Sequence, residues 1–273
     1  MTGLVERISL ERDERGGVTV HLDGAPQSHV QPDDPTVLVF EYVQHLALAI
    51  DTCAPAPAPA RLAVTHVGGG GLTLPRWVEA TRPGSPQIVL EPNVALTELV
   101  RRELPLPRRH RIRVRAQDGL TGIRGLGTDS ARVLVTDAYA EGRIPAELSS
   151  AAYVREVARV LEPGGTALWN LADEPGMRYT ARVLATIATV LPHLALIATH
   201  EVLKRRRFGN SVVVASGRPL PEDELRREVA RANLPTGLRI GADLGRVIAG
   251  ARPLDDGGLP SPPAPDASGW RVI

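Results

Sequence analysis

Three apolar segments of this chain end in residues suited to holding a nucleoside. Residues 62–67 run into Gly68-Gly69-Gly70-Gly71, residues 88–90 into Glu91, and residues 133–136 into Asp137. Glycine is needed where a backbone passes close to a ligand, because a Cβ would collide with it. A tight strand-to-helix turn uses the same freedom, so the run alone is open to both readings. Glu91 lies about twenty residues past the glycine turn, the spacing at which an acid accepts hydrogen bonds from ribose hydroxyls. Asp118, in Gln117-Asp118-Gly119, stands where it can receive an adenine amino group, although Asp-Gly pairs also form plain turns. Asp137 and Tyr139 set a carboxylate and a phenol at the carboxyl edge of a sheet, where open α/β sheets bind substrates. As plain structure, Glu91 is a solvated acid and Asp137 a cap. Taken together, the pattern makes Gly68, Gly69, Gly70, Glu91 and Asp118 candidate nucleoside ligands. It makes Asp137 and Tyr139 candidate catalytic groups.

Other constellations are weaker. The glycine run lacks the GxGxxG spacing and the Lys and Ser/Thr of a triphosphate-binding loop. His45, His66, His110, His193 and His200 are scattered without metal-ligand spacing, so structural histidines and no metal are expected. No Gly-x-Ser-x-Gly elbow exists. Lys204-Arg205-Arg206-Arg207 lacks interleaved aromatics and reads as a solvated face. Phe208-Gly209-Asn210 reads as a turn, and Trp169 as core.

The elements that must position these residues follow from composition and pattern. The 273 residues, 43% of them hydrophobic, suffice for one large domain with small appendages. A net charge of +1 recruits neither nucleic acid nor membrane, and 31 of the 32 basic residues are arginine, which reads as codon bias. The single cysteine, Cys53, excludes an internal disulfide and a cysteine zinc cluster and fits a cytoplasmic location. No apolar run approaches the roughly 20 residues of a membrane helix, and the charged N-terminus is unlike a signal peptide.

Residues 3–31 alternate polar and apolar around Asp23-Gly24 and predict a β-hairpin, with a helix over 36–50. The Ala/Pro segment 54–60 is a stiff connector closing an N-terminal piece, 1–53. From 61 to 250 strands and helices alternate as in a parallel sheet. Strands are expected at 62–67, 87–91, 111–116, 132–136, 165–170, 195–199 and 211–216. Helices are expected near 73–81, 94–102, 150–161, 176–190 and 221–232, with Pro163-Gly164-Gly165 as a turn. Residues 251–273, dense in Pro, Gly and Asp, are expected to be a disordered tail. The fold class is thus α/β, a seven-stranded Rossmann-like sheet with a small N-terminal β-hairpin element.

With these residues in view, the chain resembles the spermidine synthase (polyamine aminopropyltransferase) family, built on the class I methyltransferase fold, over residues 18–216. Leu22-Asp23-Gly24-Ala25-Pro26-Gln27 is similar to the family's LDGxxQ hairpin. Val67-Gly68-Gly69-Gly70 with Arg76 is similar to its GGGDGxxxRE loop. Leu90-Glu91 matches VEID, Asp118 the following acidic position, and Thr136-Asp137 the start of the DxxDP catalytic loop. The resemblance implies that decarboxylated S-adenosylmethionine or S-adenosylmethionine is the co-substrate. It further implies that Gln27 helps hold the co-substrate, that a small-molecule amine or other acceptor enters, and that the protein is a homodimer.

The departures fall on one side of the reaction. Gly71 replaces the loop Asp, Leu72 the final Gly, and Asn93 the second acid of VEID. The Tyr-His pair of YHEM is replaced near Phe40-Glu41-Tyr42, and Ala140-Glu141 replaces the second Asp and the Pro of the catalytic loop. Glu41, Tyr42 and Glu141 are the residues left as candidate acceptor-side substitutes. Three functions are therefore expected in turn: aminopropyl transfer, methyl transfer to an unknown acceptor, or non-catalytic nucleoside or polyamine binding. Loss of the Asp at Gly71 favours the second, since an acid there would repel a methionine carboxylate.

Overall fold

The computed structural model of the protein describes residues 7–265. Alternating valines in the first segment make a small antiparallel sheet of β1 (Ile8–Arg12), β2 (Val18–Leu22) and β3 (Ala25–Val30), in that order. Asp23 and Gly24, both at positive φ (50° and 82°), close β2 to β3 as the Asp-Gly pair predicts. The expected hairpin is present, with one strand more than expected. Val18, Val20 and Val30 bury their side chains with Leu72, Val89 and Leu96, which seats this sheet beside the glycine run.

Helix α1 (Glu41–Cys53) begins later than the expected residue 36 and ends where Ala54 turns extended before Pro55. The main sheet contains β4 (Val64–Val67), β5 (Gln87–Leu90), β6 (Ile112–Arg115), β7 (Ala131–Thr136), β8 (Leu161–Asp173), β9 (His193–Thr199), β10 (Gly209–Ser216) and β11 (Thr236–Ile240). Helices α2 (Thr73–Thr81), α3 (Val94–Glu103), α4 (Gly119–Arg124), α5 (Ala151–Val160), α6 (Arg178–Ala188), α7 (His200–Leu203), α8 (Glu222–Arg231) and α9 (Ala242–Ile248) connect them. None of these helices is long and apolar enough to cross a membrane.

Strand order is β11-β9-β10-β8-β7-β4-β5-β6. The chain leaves β4 toward β5 and β6 on one side and returns to β7 and β8 on the other. The crevice at the carboxyl ends of β4 and β7 is therefore the topological switch point, the place where such sheets bind ligands. Parallel pairing of Val67 with both Leu90 and Thr136 brings the three strand ends level, so the residues that follow them meet. Two large clusters fill the two faces, one around Leu134, Tyr153 and Trp169, the other around Leu46, Val78 and Val133.

Four expectations need correction. The sheet has eight strands, because residues 236–240 add an edge strand. Strands β10 and β11 run antiparallel to their neighbours, so the sheet is mixed. Strand β8 begins at Leu161 and runs through Pro163-Gly164-Gly165; Gly164 at φ 85° takes up a register shift against β7 and makes that segment an irregularity within the strand. The tail is ordered over residues 251–265. Leu254 is buried against the first core cluster, and its amide donates to Thr186 Oγ1 at 2.8 Å. Ser261, wholly buried, receives the Ile144 amide at 2.9 Å. Trp270 and the rest of the predicted tail, with residues 1–6, lie outside the described residues.

Candidate active site

The glycine loop is shaped by a close approach. Gly68 at φ 98° donates its amide to Leu90 O at 2.9 Å, and a Cβ there would lie 2.0 Å from the Asp137 carbonyl oxygen. Only glycine lets β4 leave the sheet so near the β7 end, which is how Asp137 comes to border the loop. Leu72, at φ 62°, turns the chain into α2. Arg76 is buried and ties this bend from inside, donating to Gly71 O at 3.2 Å and to the carbonyls of Leu104 and Pro105.

Glu91 stands at the tip of β5 and faces the loop. Its Oε2 accepts from the Gly69 amide at 2.9 Å and the Gly70 amide at 3.3 Å, and its Oε1 accepts from the Asn93 amide at 2.9 Å. These bonds orient the carboxylate toward the space above the loop while leaving Oε1 acceptor capacity. Asp118 caps α4, with Oδ1 accepting the Thr121 amide at 2.8 Å, and that bond is the main cause holding its carboxyl below the usual range. It keeps its place on the cavity wall.

Asp137 sits at the end of β7 in a polar chain that sequence reasoning missed. Asn170 of β8 donates through Nδ2 to Asp137 Oδ1 at 2.9 Å. Asn210 of β10 donates to Asn170 Oδ1 at 2.9 Å and to the Tyr139 hydroxyl at 3.1 Å. Burial raises the Asp137 carboxyl to about 6, against the lowering effect of the Asn170 bond. Burial likewise lifts the phenols of Tyr42 and Tyr139 well above the ordinary range, and the Asp137 charge adds to both. At neutral pH the site thus holds a mostly ionised carboxylate close to protonation, flanked by two neutral phenols. Such a group can accept a proton from an ammonium ion without being permanently neutral.

These groups line one cavity of about 320 Å³, which lies within the range of small-ligand sites. Gln27, Tyr42, Gly68, Gly69, Gly70, Glu91, Asp118, Asp137 and Tyr139 all border it, as does Glu147, an acid that sequence reasoning passed over. Glu41 and Glu141 are not among its lining residues. Glu41 pairs with Arg207 at 2.7 Å at the surface. Glu141 and Gly142 form the tip of a tight turn closed by reciprocal bonds between Ala140 and Arg143, with Glu141 exposed at φ 51°. The acids that would replace the missing acceptor-side carboxylates therefore stand elsewhere.

His66 also borders the cavity but contributes no charge. It is buried, its imidazole is pushed down to about 4 mainly by that burial, and Nε2 bonds Gln87 Oε1 at 2.9 Å. Among the described residues, no lysine or arginine lines the cavity. A polar residue inside the buried run Trp169-Asn170-Leu171 was the signal for Asn170, since a buried amide demands partners. Asn210 carried none that a turn would not explain.

A sheet that reverses order at β4, a glycine loop there, and acids at the next two strand ends define the class I methyltransferase type of fold. Compared by sequence, the chain matches no protein-family model and no curated protein. Its structure is similar to a probable spermidine synthase from Corynebacterium glutamicum, with TM-score 0.85 and 27% identity over 95% of this chain and 96% of that one. It is also similar to the spermidine synthase of Thermotoga maritima, with TM-score 0.60 and 17% identity over 90% and 81%. Human methyltransferase-like protein 13, solved with SAH, matches with TM-score 0.56 and 21% identity over 80% and 96%. The fold is the spermidine synthase-like form of the methyltransferase fold.

Proposed function

We propose that the protein is a spermidine synthase-like transferase that moves an aminopropyl group from decarboxylated S-adenosylmethionine to a small amine. The observation that carries this reading is the charge of the cavity wall: Glu91, Asp118, Asp137 and Glu147 line it, and among the described residues no lysine or arginine does. A sulfonium and an ammonium are both stabilised there, whereas a methionine carboxylate meets no cationic side chain.

In this reading the ribose lies on Glu91 above Gly68–Gly70, and the nucleobase lies toward Asp118 and Glu147. The acceptor enters between Tyr42 and Tyr139. Asp137 Oδ2, the oxygen not engaged by Asn170, takes a proton from the ammonium. The freed nitrogen lone pair attacks the methylene carbon bonded to sulfur, and the C–S electron pair returns to sulfur as neutral methylthioadenosine leaves. Catalysis comes from alignment and from a wall of fixed negative charge. The homodimer implied by the sequence resemblance belongs to the same proposal.

One observation favours methyl transfer instead. Thr73 and Leu74, at the start of α2, border the cavity, and Leu72 supplies no side-chain cap, so the helix amides can take a carboxylate. Calorimetry with decarboxylated S-adenosylmethionine, S-adenosylmethionine and methylthioadenosine separates the two. Tighter binding of the decarboxylated form, followed by methylthioadenosine release with an added diamine, is the expected result. Preference for the carboxylated form shifts the assignment to methyl transfer, and failure of all three to bind overturns the nucleoside reading.

A further inference from the structure

A second cavity of about 340 Å³ opens between the start of α6, α7, β11 and α9. Arg205, Arg239 and Arg246 line it, over a floor that includes Met177 and Leu203. Arginine is the ordinary cation of this chain, so their number alone says little. Their lack of counter-charge says more. The neighbours Arg206 and Arg207 pair with Glu201 and Glu41 at 3.0 and 2.7 Å, and the arginines of α8 pair along the helix.

In the cavity three guanidiniums share one carboxylate, Asp243, which pairs with Arg246 one helical turn away. The Arg205 guanidinium has no hydrogen-bond or ion-pair partner among the described residues, and Arg239 reaches only the Leu238 carbonyl, at 3.3 Å. Arg205 also holds φ 59°, the left-handed conformation that non-glycine residues adopt at a cost.

The start of a helix borders the same space. Met177, the N-cap of the 11-residue helix α6, lines the same wall and gives the helix no side-chain cap. Asp173 accepts the Thr180 amide, so one of the first-turn donors is taken. Like charges gathered in one concavity are relieved by an anion, and two open guanidinium forks match the oxygens of phosphate bidentately. The volume exceeds what an inorganic ion needs, and the Met177–Leu203 floor offers an apolar surface to the rest of a ligand.

We propose that this cavity is a second ligand site, separate from the acidic one, for a phosphorylated small molecule of about nucleotide size. Its chemistry is the opposite of the transferase cavity: cationic walls for an anion, against anionic walls for a cation.

Calorimetry at low salt with ADP, AMP and pyrophosphate tests it on the full chain. Saturable one-to-one binding is expected, weakened roughly tenfold to a hundredfold by Arg205→Ser with Arg239→Gln, since each removes a charge-assisted bond. Asp137→Asn should leave that binding unchanged. Circular dichroism of the double variant checks that it folds. No binding at millimolar concentrations, or equal binding by the double variant, overturns the proposal. Binding of a single-stranded RNA oligonucleotide without binding of any of the three small phosphates would also overturn it.

Discussion

Asp137→Asn tests the electrostatics of the site without assuming a reaction. The ordinary carboxylate value near 3.8 is raised to about 6 in the folded chain, chiefly by burial. A carboxyl with a raised folded value binds more protons folded than unfolded between those two values. Stability therefore falls as pH rises through the window from about 4 to about 6, and stays lowered above it. A rise of that size corresponds to roughly 3 kcal/mol in favour of the protonated form, and to about 2 kcal/mol after discounting for residual solvent access. The amide is isosteric, can still accept the Asn170 bond, and does not ionise. Urea denaturation of both proteins at several pH values should show a difference near its minimum below pH 4. That difference should grow through the window, with the variant about 2 kcal/mol more stable at pH 7.5. Effects of the amide that do not depend on pH cancel when the two ends of the titration are compared. A difference that stays flat across the window, or grows in the opposite direction, refutes the claim that this carboxylate is held against its preference.

Asn170→Ala removes the bond that favours the charged form of Asp137, so the carboxyl should titrate at higher pH. Its proton affinity should rise roughly tenfold or more, the worth of one hydrogen bond to a charged group. Carbon NMR of the carboxyl or the acidic limb of a pH–rate profile reads this, and an unmoved titration would contradict it. Ser261→Ala strips the buried Ile144 amide of its acceptor and should cost about 1–3 kcal/mol in urea denaturation. The same change should weaken nucleoside binding, because residues 251–265 fasten the loop that carries Pro145, Glu147 and Leu148. Gly71→Asp, which restores the acid of the resembling family, should destabilise the fold and fail to improve binding of the decarboxylated nucleoside by calorimetry.

The glycine-loop side of the cavity was legible because it rests on local rules. Glycines that must escape a Cβ clash, and acids placed just beyond apolar strands, leave marks in the order of the residues. Gly68, Glu91 and Asp137 were found for that reason, and the parallel register of β4, β5 and β7 brings them together. Asn170 and Asn210 were not legible as a pair, because they meet only through β10 lying antiparallel beside β8. That pairing is a long-range fact with no local signature. Strand β11 escaped because a short edge strand has little apolar alternation to show. The segment 251–265 was misread because its order comes from Ser261, Leu254 and Gly258 meeting the loop and helices far back in the chain, while its composition is that of a linker. Glu41 and Glu141 lie beside matched motifs in the sequence, but a surface pair with Arg207 and a tight turn at Glu141-Gly142 take both away from the cavity.

Gly71 shows why the departure from the aminopropyltransferase pattern reaches beyond one residue. Its amide donates to Ser28 Oγ at 2.7 Å, and a Cβ there would lie 2.7 Å from that oxygen, 3.0 Å from Val30 Cγ2 and 3.2 Å from Val20 Cγ2. Val20 and Val30 are fully buried core residues of the N-terminal sheet, so they have little room to yield. The space that a loop carboxylate would need is filled by β2 and β3. Restoring the acid therefore displaces the Ser28 hydroxyl and crowds Val20 and Val30, which pack with Leu72, Val89 and Leu96. In the proposed reaction, the donor amine must find its charge partner elsewhere on the wall. Among the cavity acids, Glu91 and Asp118 are each partly engaged by backbone amides, while Asp137 is engaged only through Oδ1 by Asn170, so Asp137 and Glu147 carry the least committed carboxylates on the wall. Under the proposed function, the room available beside the glycine loop is thus tied to the seating of the N-terminal sheet.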